Sequence, residues 1–354
     1  MPYCWKCGAE LDEDAKFCPT CGTPVGPPVT KPERRRIERK ERRPISTLGI
    51  LAIVLIVLLA SAAIIVALAF MPIHAVDVSE SRDVPYQAGV DTIKLDFTAD
   101  VARVNVAFED LSGKLVTLDV SATGRVGIFG STDAFDLTSH NTTDNNVLTV
   151  TADVDTVGGG WPWYPWLRVT CDIRIDPSMN ASIDVETSTG GIVMNTQAGV
   201  VLNSLSLEAT TGGVKANLVK DVIVAGDVSV KTATGGVEFS WDNVMVTKDI
   251  LVNARTTTGG VDVDVKQDEE LLGNVTLKAK ATTGGVNFAI DIHGDIGAKI
   301  VSSVTTGGID IVRQVGFSGT KSPLQSTNYR AGSNFDVSLE TTTGGIDIDA
   351  KYTP

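Results

Sequence analysis

The chain has 354 residues and a net charge of −13, but residues 1–74 are slightly basic and residues 75–354 strongly acidic. That acidic majority argues against a nucleic-acid partner, which needs a basic patch, and fits cation binding or simple solubility. The length calls for more than one domain. Helical periodicity is nearly absent outside one segment, so the rest reads as mostly β.

Residues 1–25 hold Cys4-Trp5-Lys6-Cys7-Gly8 and, with ten residues between Cys7 and Cys18, Cys18-Pro19-Thr20-Cys21-Gly22. Each C-x2-C pair presents two thiolates from one tight turn, and the glycine behind it frees the backbone to reverse. Four thiolates complete a tetrahedral shell for one structural Zn2+ with no open position, so no catalysis is expected there. A segment this small has little core of its own and folds on its metal. It resembles the short zinc-ribbon modules at the ends of many archaeal and bacterial proteins.

Residues 26–45 read as a basic juxtamembrane linker. Gly26-Pro27-Pro28 opens it, and Lys31, Arg34, Arg35, Arg36, Arg39, Lys40, Arg42 and Arg43 follow. Residues 46–73 carry no charge. The stretch from Leu48 to Met71 would reach about 36 Å as a helix, enough for a ~30 Å hydrocarbon core. The expectation is one transmembrane helix, with the basic N-terminal side cytoplasmic and a C-terminal ectodomain outside the cell membrane.

Residues 76–175 read as an irregular β capping region, with candidate strands at Thr92–Phe97, Val101–Phe108, Leu115–Ser121, Val147–Ala152 and Leu167–Ile175. Ala122-Thr123-Gly124-Arg125-Val126 looks like a degraded copy of a turn that recurs further on. Trp161, Trp163, Tyr164 and Trp166, stiffened by Pro162 and Pro165, form a candidate ligand-contact loop, by stacking on a sugar or resting at a membrane interface. The bland alternative is a loop folded over an open core end. Cys171 reads as a buried small apolar residue. Asn141, Asn180 and Asn274 open N-glycosylation sequons.

Residues 176–354 are organised by Thr-Gly-Gly followed by Val or Ile. The first glycines are Gly190, Gly212, Gly235, Gly259, Gly284, Gly307 and Gly344, at steps of 22, 23, 24, 25, 23 and 37 residues. A period in the twenties marks a repeat architecture. Mostly apolar residues stand five and seven places before the first glycines, as in Leu207 and Leu205, with a weaker sixth copy at Ser302 and Ile300, and they alternate with polar ones. A second alternation follows, as in Val237-Glu238-Phe239-Ser240-Trp241. Both read as strands with one buried face, and the glycine pair supplies the positive φ that turns the chain. Two folds fit: a β-solenoid with one coil per repeat, or a row of antiparallel hairpins closed by Gly-Gly. Near-constant period and like residues at like places favour the solenoid, with the preceding threonines as a ladder. The long step, Val315 to Asn334, reads as a projecting surface loop and a plausible contact site. Three places after the first glycine the outward column turns acidic, with Glu238, Asp262, Asp310 and Asp347, which raises Ca2+ as a neutraliser. Lys231, Arg255 and Lys280, four places before the glycines, offset that charge.

The strand, Thr-Thr-Gly-Gly-Val or Ile, strand signature resembles the putative-adhesin family of bacterial and archaeal β-solenoid surface proteins over residues 85–354. The resemblance implies a β-helical ectodomain displayed at the envelope and brings no catalytic residues. His74, His140 and His293 have no repeat-related metal or triad partners, and there is no Walker or dinucleotide fingerprint. An enzyme is therefore not expected. Three roles are weighed in order: adhesion to an envelope polysaccharide or protein; an envelope sensor or scaffold whose zinc ribbon docks a cytoplasmic protein; and an enzyme acting on envelope glycans.

Overall fold

The computed structural model describes residues 2–26, 47–69, 74–126, 133–157 and 167–354, and the chain divides into two units, Met1–Ser61 and Ala62–Pro354. The first unit opens with the cysteine segment, which is treated below. Of the expected basic linker, 26–45, all but residue 26 lies outside the described residues.

One helix, α1 (Thr47–Ala69), follows, with exposed Ile, Leu and Val side chains. Among the described residues no helix is long and apolar enough to cross a membrane. The expected transmembrane helix over 46–73 is corrected on that ground.

The second unit is mostly β. Its first strands are β1 (His74–Pro85), β2 (Thr92–Val101), β3 (Arg103–Phe108), β4 (Lys114–Val126), β5 (Phe135–Asp144), β6 (Val147–Thr156) and β7 (Leu167–Ile175). The repeats supply strand pairs, one on each side of a Gly-Gly turn. These are β8 (Asn180–Thr189) with β9 (Ile192–Asn195), and β10 (Val201–Thr211) with β11 (Val214–Leu218). A short β12 (Ile223–Val224) precedes β13 (Val228–Thr234) with β14 (Val237–Asp242), and a short β15 (Met245–Val246) precedes β16 (Ile250–Thr258) with β17 (Val261–Gln267). Then come β18 (Val275–Thr283) with β19 (Val286–His293), and β20 (Gly297–Thr306) with β21 (Ile309–Val315). After β22 (Phe317–Ser318) and β23 (Leu324–Ser326), the last pair is β24 (Asn334–Thr343) with β25 (Ile346–Thr353).

The two strands of a repeat enter different sheets, so the Gly-Gly turn does not close a hairpin. One sheet has 11 strands, in the order β1-β4-β7-β3-β9-β11-β14-β17-β19-β25-β21. The other runs β22-β23-β20-β24-β18-β16-β13-β10-β8-β2-β6-β5, with β12 beside β10 and β15 beside β12. Repeats pair with one another in parallel and in register, so that Thr189, Thr211, Thr234, Thr258 and Thr283 meet as partners across successive strands. The inward residues of both sheets form one continuous core. Its largest fully buried side chain, Trp241, meets Phe335 of the other sheet edge-on at 6.0 Å between ring centroids.

A solenoid laid down one coil per repeat in chain order is not what forms. The last repeat, β24/β25, is inserted between β18/β19 and β20/β21. At the other end β2/β3 sits between the later pair β6/β7 and β8/β9. Antiparallel strands close much of both ends: β1 on β4, β4 on β7, β5 on β6, and β23 on β20. The segment expected as a projecting loop, Val315 to Asn334, instead supplies β22 and β23, which cover the edge of β20. That covering leaves fewer free strand groups to recruit other chains. The turn-like Ala122–Val126 run lies inside β4, paired with β1 and β7.

Glycine chemistry fixes the turn. The first glycine of each pair has φ between 136° and 145°, which L side chains rarely adopt. It also packs directly on its neighbour: a Cβ on Gly235 would lie 2.0 Å from the carbonyl oxygen of Gly212. The second glycine has no such φ, and a Cβ on Gly236 would sit at an ordinary 3.7 Å. Buried threonines complete the column. Thr232 Oγ1 donates to Gly212 O at 2.8 Å, Thr256 Oγ1 to Gly235 O at 2.9 Å and Thr341 Oγ1 to Gly284 O at 2.9 Å.

Candidate metal centre and binding faces

The cysteine segment is built from two matching knuckles. In the first, Cys4 N donates to Ala9 O at 2.8 Å and Gly8 N to Cys4 O at 2.9 Å. In the second, Cys18 N donates to Thr23 O and Gly22 N to Cys18 O, both at 2.8 Å. Gly8 and Gly22 turn with φ of 75° and 70°. Short antiparallel bridges, Tyr3 to Glu10 and Phe17 to Pro24, close the two loops.

These turns bring all four cysteines together. Their sulfurs lie within 4.8 Å of one another, and Cys4–Cys21 and Cys7–Cys18 are each separated by 3.6 Å. Four sulfurs at the usual Zn–S distance of ~2.3 Å are about 3.8 Å apart, so the set fits a tetrahedral zinc ion. The Thr23 hydroxyl and amide hydrogen-bond Cys21 and hold its thiol down at about 6, while the crowding of the other sulfurs pushes the Cys7 thiol up to about 12. Cys4, Cys18 and Leu11 are the buried hydrophobic members of this segment, with Ala9 beside them. The metal therefore takes the place of a core. Tyr3, Trp5 and Phe17 are left 62%, 81% and 62% exposed.

Trp161, Trp163, Tyr164 and Trp166 lie outside the described residues. Asn141 is exposed on β5. Asn180 is half-buried at the start of β8. The Asn274 amide nitrogen donates to Asp249 Oδ1 at 3.2 Å. Cys171 is buried in β7, and burial pushes its thiol up to about 12, the behaviour of an inert core residue.

Glu238, Asp262 and Asp347 of the expected acidic column line a groove on the outer face of the 11-stranded sheet, where Asp264 and Asp349 join them, whereas Asp310 is not among its lining residues. Neighbours partly neutralise it: Lys215 Nζ meets Glu238 at 2.7 Å, and Arg313 Nε meets Asp349 at 2.6 Å. Among the described residues only the four cysteines converge as a candidate metal cluster, so the Ca2+ expectation gains no support.

The outer face of the 14-stranded sheet is patterned differently. One row across the strands reads Glu186, Glu208, Lys231, Arg255, Lys280, Glu340. Burial pushes the Glu186 carboxyl above its usual range, and the neighbouring Asp184 and Glu208 charges add to this. Lys280 Nζ pairs with Glu340 at 2.7 Å. The sequence shows Lys231, Arg255 and Lys280 at one repeat position, but not that Lys278 stands in the next row on the same face. Counting alternate residues back from each glycine is the signal that finds it. The exposed aromatics of the ribbon were likewise missed, although Tyr3 and Phe17 occupy matching places, each just before its cysteine pair.

Residues 3–25 match the zinc-ribbon domain family, so the N-terminal segment is a zinc-ribbon domain with a four-cysteine metal site. No curated protein matches the chain. Solved structures similar to it include a candidate cell adhesion protein from Clostridium sporogenes, 13% identical, with a TM-score of 0.39, over 78% of this chain and all of that one. A candidate adhesin from Bacteroides fragilis is 12% identical over 77% of this chain and 97% of its own, with a TM-score of 0.32. Another, from Parabacteroides merdae, is 10% identical over 77% and 96%, with a TM-score of 0.28.

Proposed function

We propose that the β unit is an adhesin-like binding module acting at the cell envelope, and that the zinc ribbon is a structural appendage without catalysis. The observation that carries this reading is the parallel register. It sets outward residues of successive repeats in straight rows at strand spacing, about 4.8 Å, so each sheet presents a broad repeating face rather than a single reacting centre. Repeat arrays characteristically use such faces for binding. The test is saturable binding of the full-length chain to envelope fragments from its own cells and from neighbouring species. Absence of binding to every fragment overturns the reading.

A second reading, in which the ribbon also docks a protein partner, is favoured by exposed Tyr3, Trp5 and Phe17. Aromatic side chains are enriched at protein interfaces and among their hot spots. Trp5→Ala is expected to abolish partner capture while leaving zinc content and envelope binding intact. Unchanged capture contradicts it.

A further inference from the structure

We propose that Lys231, Arg255 and Lys278, on the outer face of the 14-stranded sheet, form an anion-binding row whose ligand is an acidic polysaccharide lying across the strands. The inference rests on the adhesin-like reading and names the ligand class for that function.

The row is an electrostatic anomaly. Lys231 pairs with Arg255 across β13 and β16, and Arg255 with Lys280 across β16 and β18. Lys278 stands two residues before Lys280 on the same outward side of β18. Like charges directly opposite on neighbouring strands destabilise a sheet. Lys280 is relieved by Glu340, whereas no ion pair or side-chain hydrogen bond engages Lys231, Arg255 or Lys278 among the described residues. Glu208, opposite Lys231, and Glu186 beyond it offset that end of the row in part, but three cations without a direct ion pair still stand together on a chain of net charge −13.

Their surroundings narrow the ligand. The adjoining row reads Asp184, Ser206, Ser229, Asn253, Lys278, Ser338, which beyond the Asp184 carboxylate offers hydroxyls and an amide. No aromatic side chain occupies either row, so the stacking platforms that single-stranded nucleic acids use are missing there. Charged groups spaced along a hydroxyl-rich polymer match both rows at once. Glu208 and Glu340 flank the cations and confine the anionic contact to the strands between them. At ~0.15 M salt the screening length is about 8 Å, so the cations act locally despite the acidic remainder of the chain.

The experiment uses the full-length chain at that ionic strength on immobilised polygalacturonate, dextran sulfate and unmodified dextran. The first two separate carboxylate from sulfate recognition, and the third is neutral. The wild-type chain is expected to bind at least one charged polymer and not dextran. The variant carrying Lys231→Gln, Arg255→Gln and Lys278→Gln should bind that polymer about tenfold more weakly, from three partly exposed ion pairs. Its melting temperature should be unchanged or higher, because repulsion is removed. Arg255→Lys alone should stay within about twofold.

Equal binding by the triple variant, or no preference for charged polymers over dextran, overturns the assignment. So does a loss of self-association in the triple variant with polymer binding unchanged, since the row would then meet the acidic groove of a second copy. If envelope fragments bind wild type and triple variant alike, this inference fails while the adhesin-like reading stands. If no envelope fragment binds at all, that reading fails first.

Discussion

The zinc ribbon and the β unit solve the same problem with opposite means. The ribbon has three buried hydrophobic residues, two of them metal ligands, and its folding free energy comes from coordination. The β unit has a continuous core from Val76 to Tyr352, and its folding free energy comes from apolar burial and parallel pairing. One depends on four atoms and fails all at once. The other is distributed, and its sensitive points are the places where backbones touch.

The largest expected effect separates the two. Structural zinc in such modules is worth about 10–16 kcal/mol of folding free energy at neutral pH. Chelation should therefore release fast amide exchange at Gly8 and Gly22 while the melting temperature of the β unit stays fixed. A shared transition would remove the distinction.

Within the β unit the two glycines of one turn sharpen the point. Gly235→Ala forces a Cβ to 2.0 Å from Gly212 O at a φ of 143°, and should cost about 3 kcal/mol or more. Gly236→Ala, one residue on, should stay within about 1 kcal/mol. Chemical denaturation of the two variants reads the difference, and equal losses would refute the glycine column.

A smaller effect tests the buried polar exception. Gln267 Oε1 accepts from Trp241 Nε1 at 2.8 Å and from Val244 N at 3.1 Å. Gln267→Leu leaves both donors buried without an acceptor and should cost about 1–3 kcal/mol, measured in the same way. An unchanged stability would mean that this part of the core relaxes freely.

The smallest effect is pH dependence. Lys114 beside Asp83, and Thr92 and Asn146 beside Asp91, hold those carboxyls below their usual range. Their contribution is present above the unfolded pKa and is lost as pH falls through the folded one, so the melting temperature should dip slightly in acid below about pH 4. Glu186 has the opposite sign. Its raised carboxyl is more readily protonated when folded, which stabilises as pH falls. A melting temperature that climbs steadily into acid would show that Glu186 and its neighbours outweigh the depressed pair.

Local chemistry was legible and global order was not. Cysteine spacing alone identified the zinc site, because ligand geometry is dictated within each short turn. Period-two alternation located the repeat strands and their inward residues. The strands of 76–175 were found within a few residues, except β1 and β5, whose outward-rich patterns carry little periodicity. What periodicity cannot encode is which repeat lies beside which. β24 displays the same Thr-Gly-Gly signature whether it follows β20 or slips between β18 and β20. That choice is made by contacts between repeats and not within one, and in the fold it leaves β20 as the edge that β22 and β23 cover. The two glycines also look alike in sequence, and only the stacked neighbour reveals that the first one is in contact.

Stacking out of chain order is the central claim, and a cysteine cross-link tests it most directly. Thr276 of β18 is partnered with Asp336 of β24, which is partnered in turn with Lys299 of β20. Adjacent strands lie about 4.8 Å apart and admit a disulfide, whereas strands twice that distance apart do not. The account predicts that Thr276→Cys with Asp336→Cys cross-links on mild oxidation and that Thr276→Cys with Lys299→Cys does not. Cross-linking of the second pair and not the first would restore a simple sequential stack and contradict it.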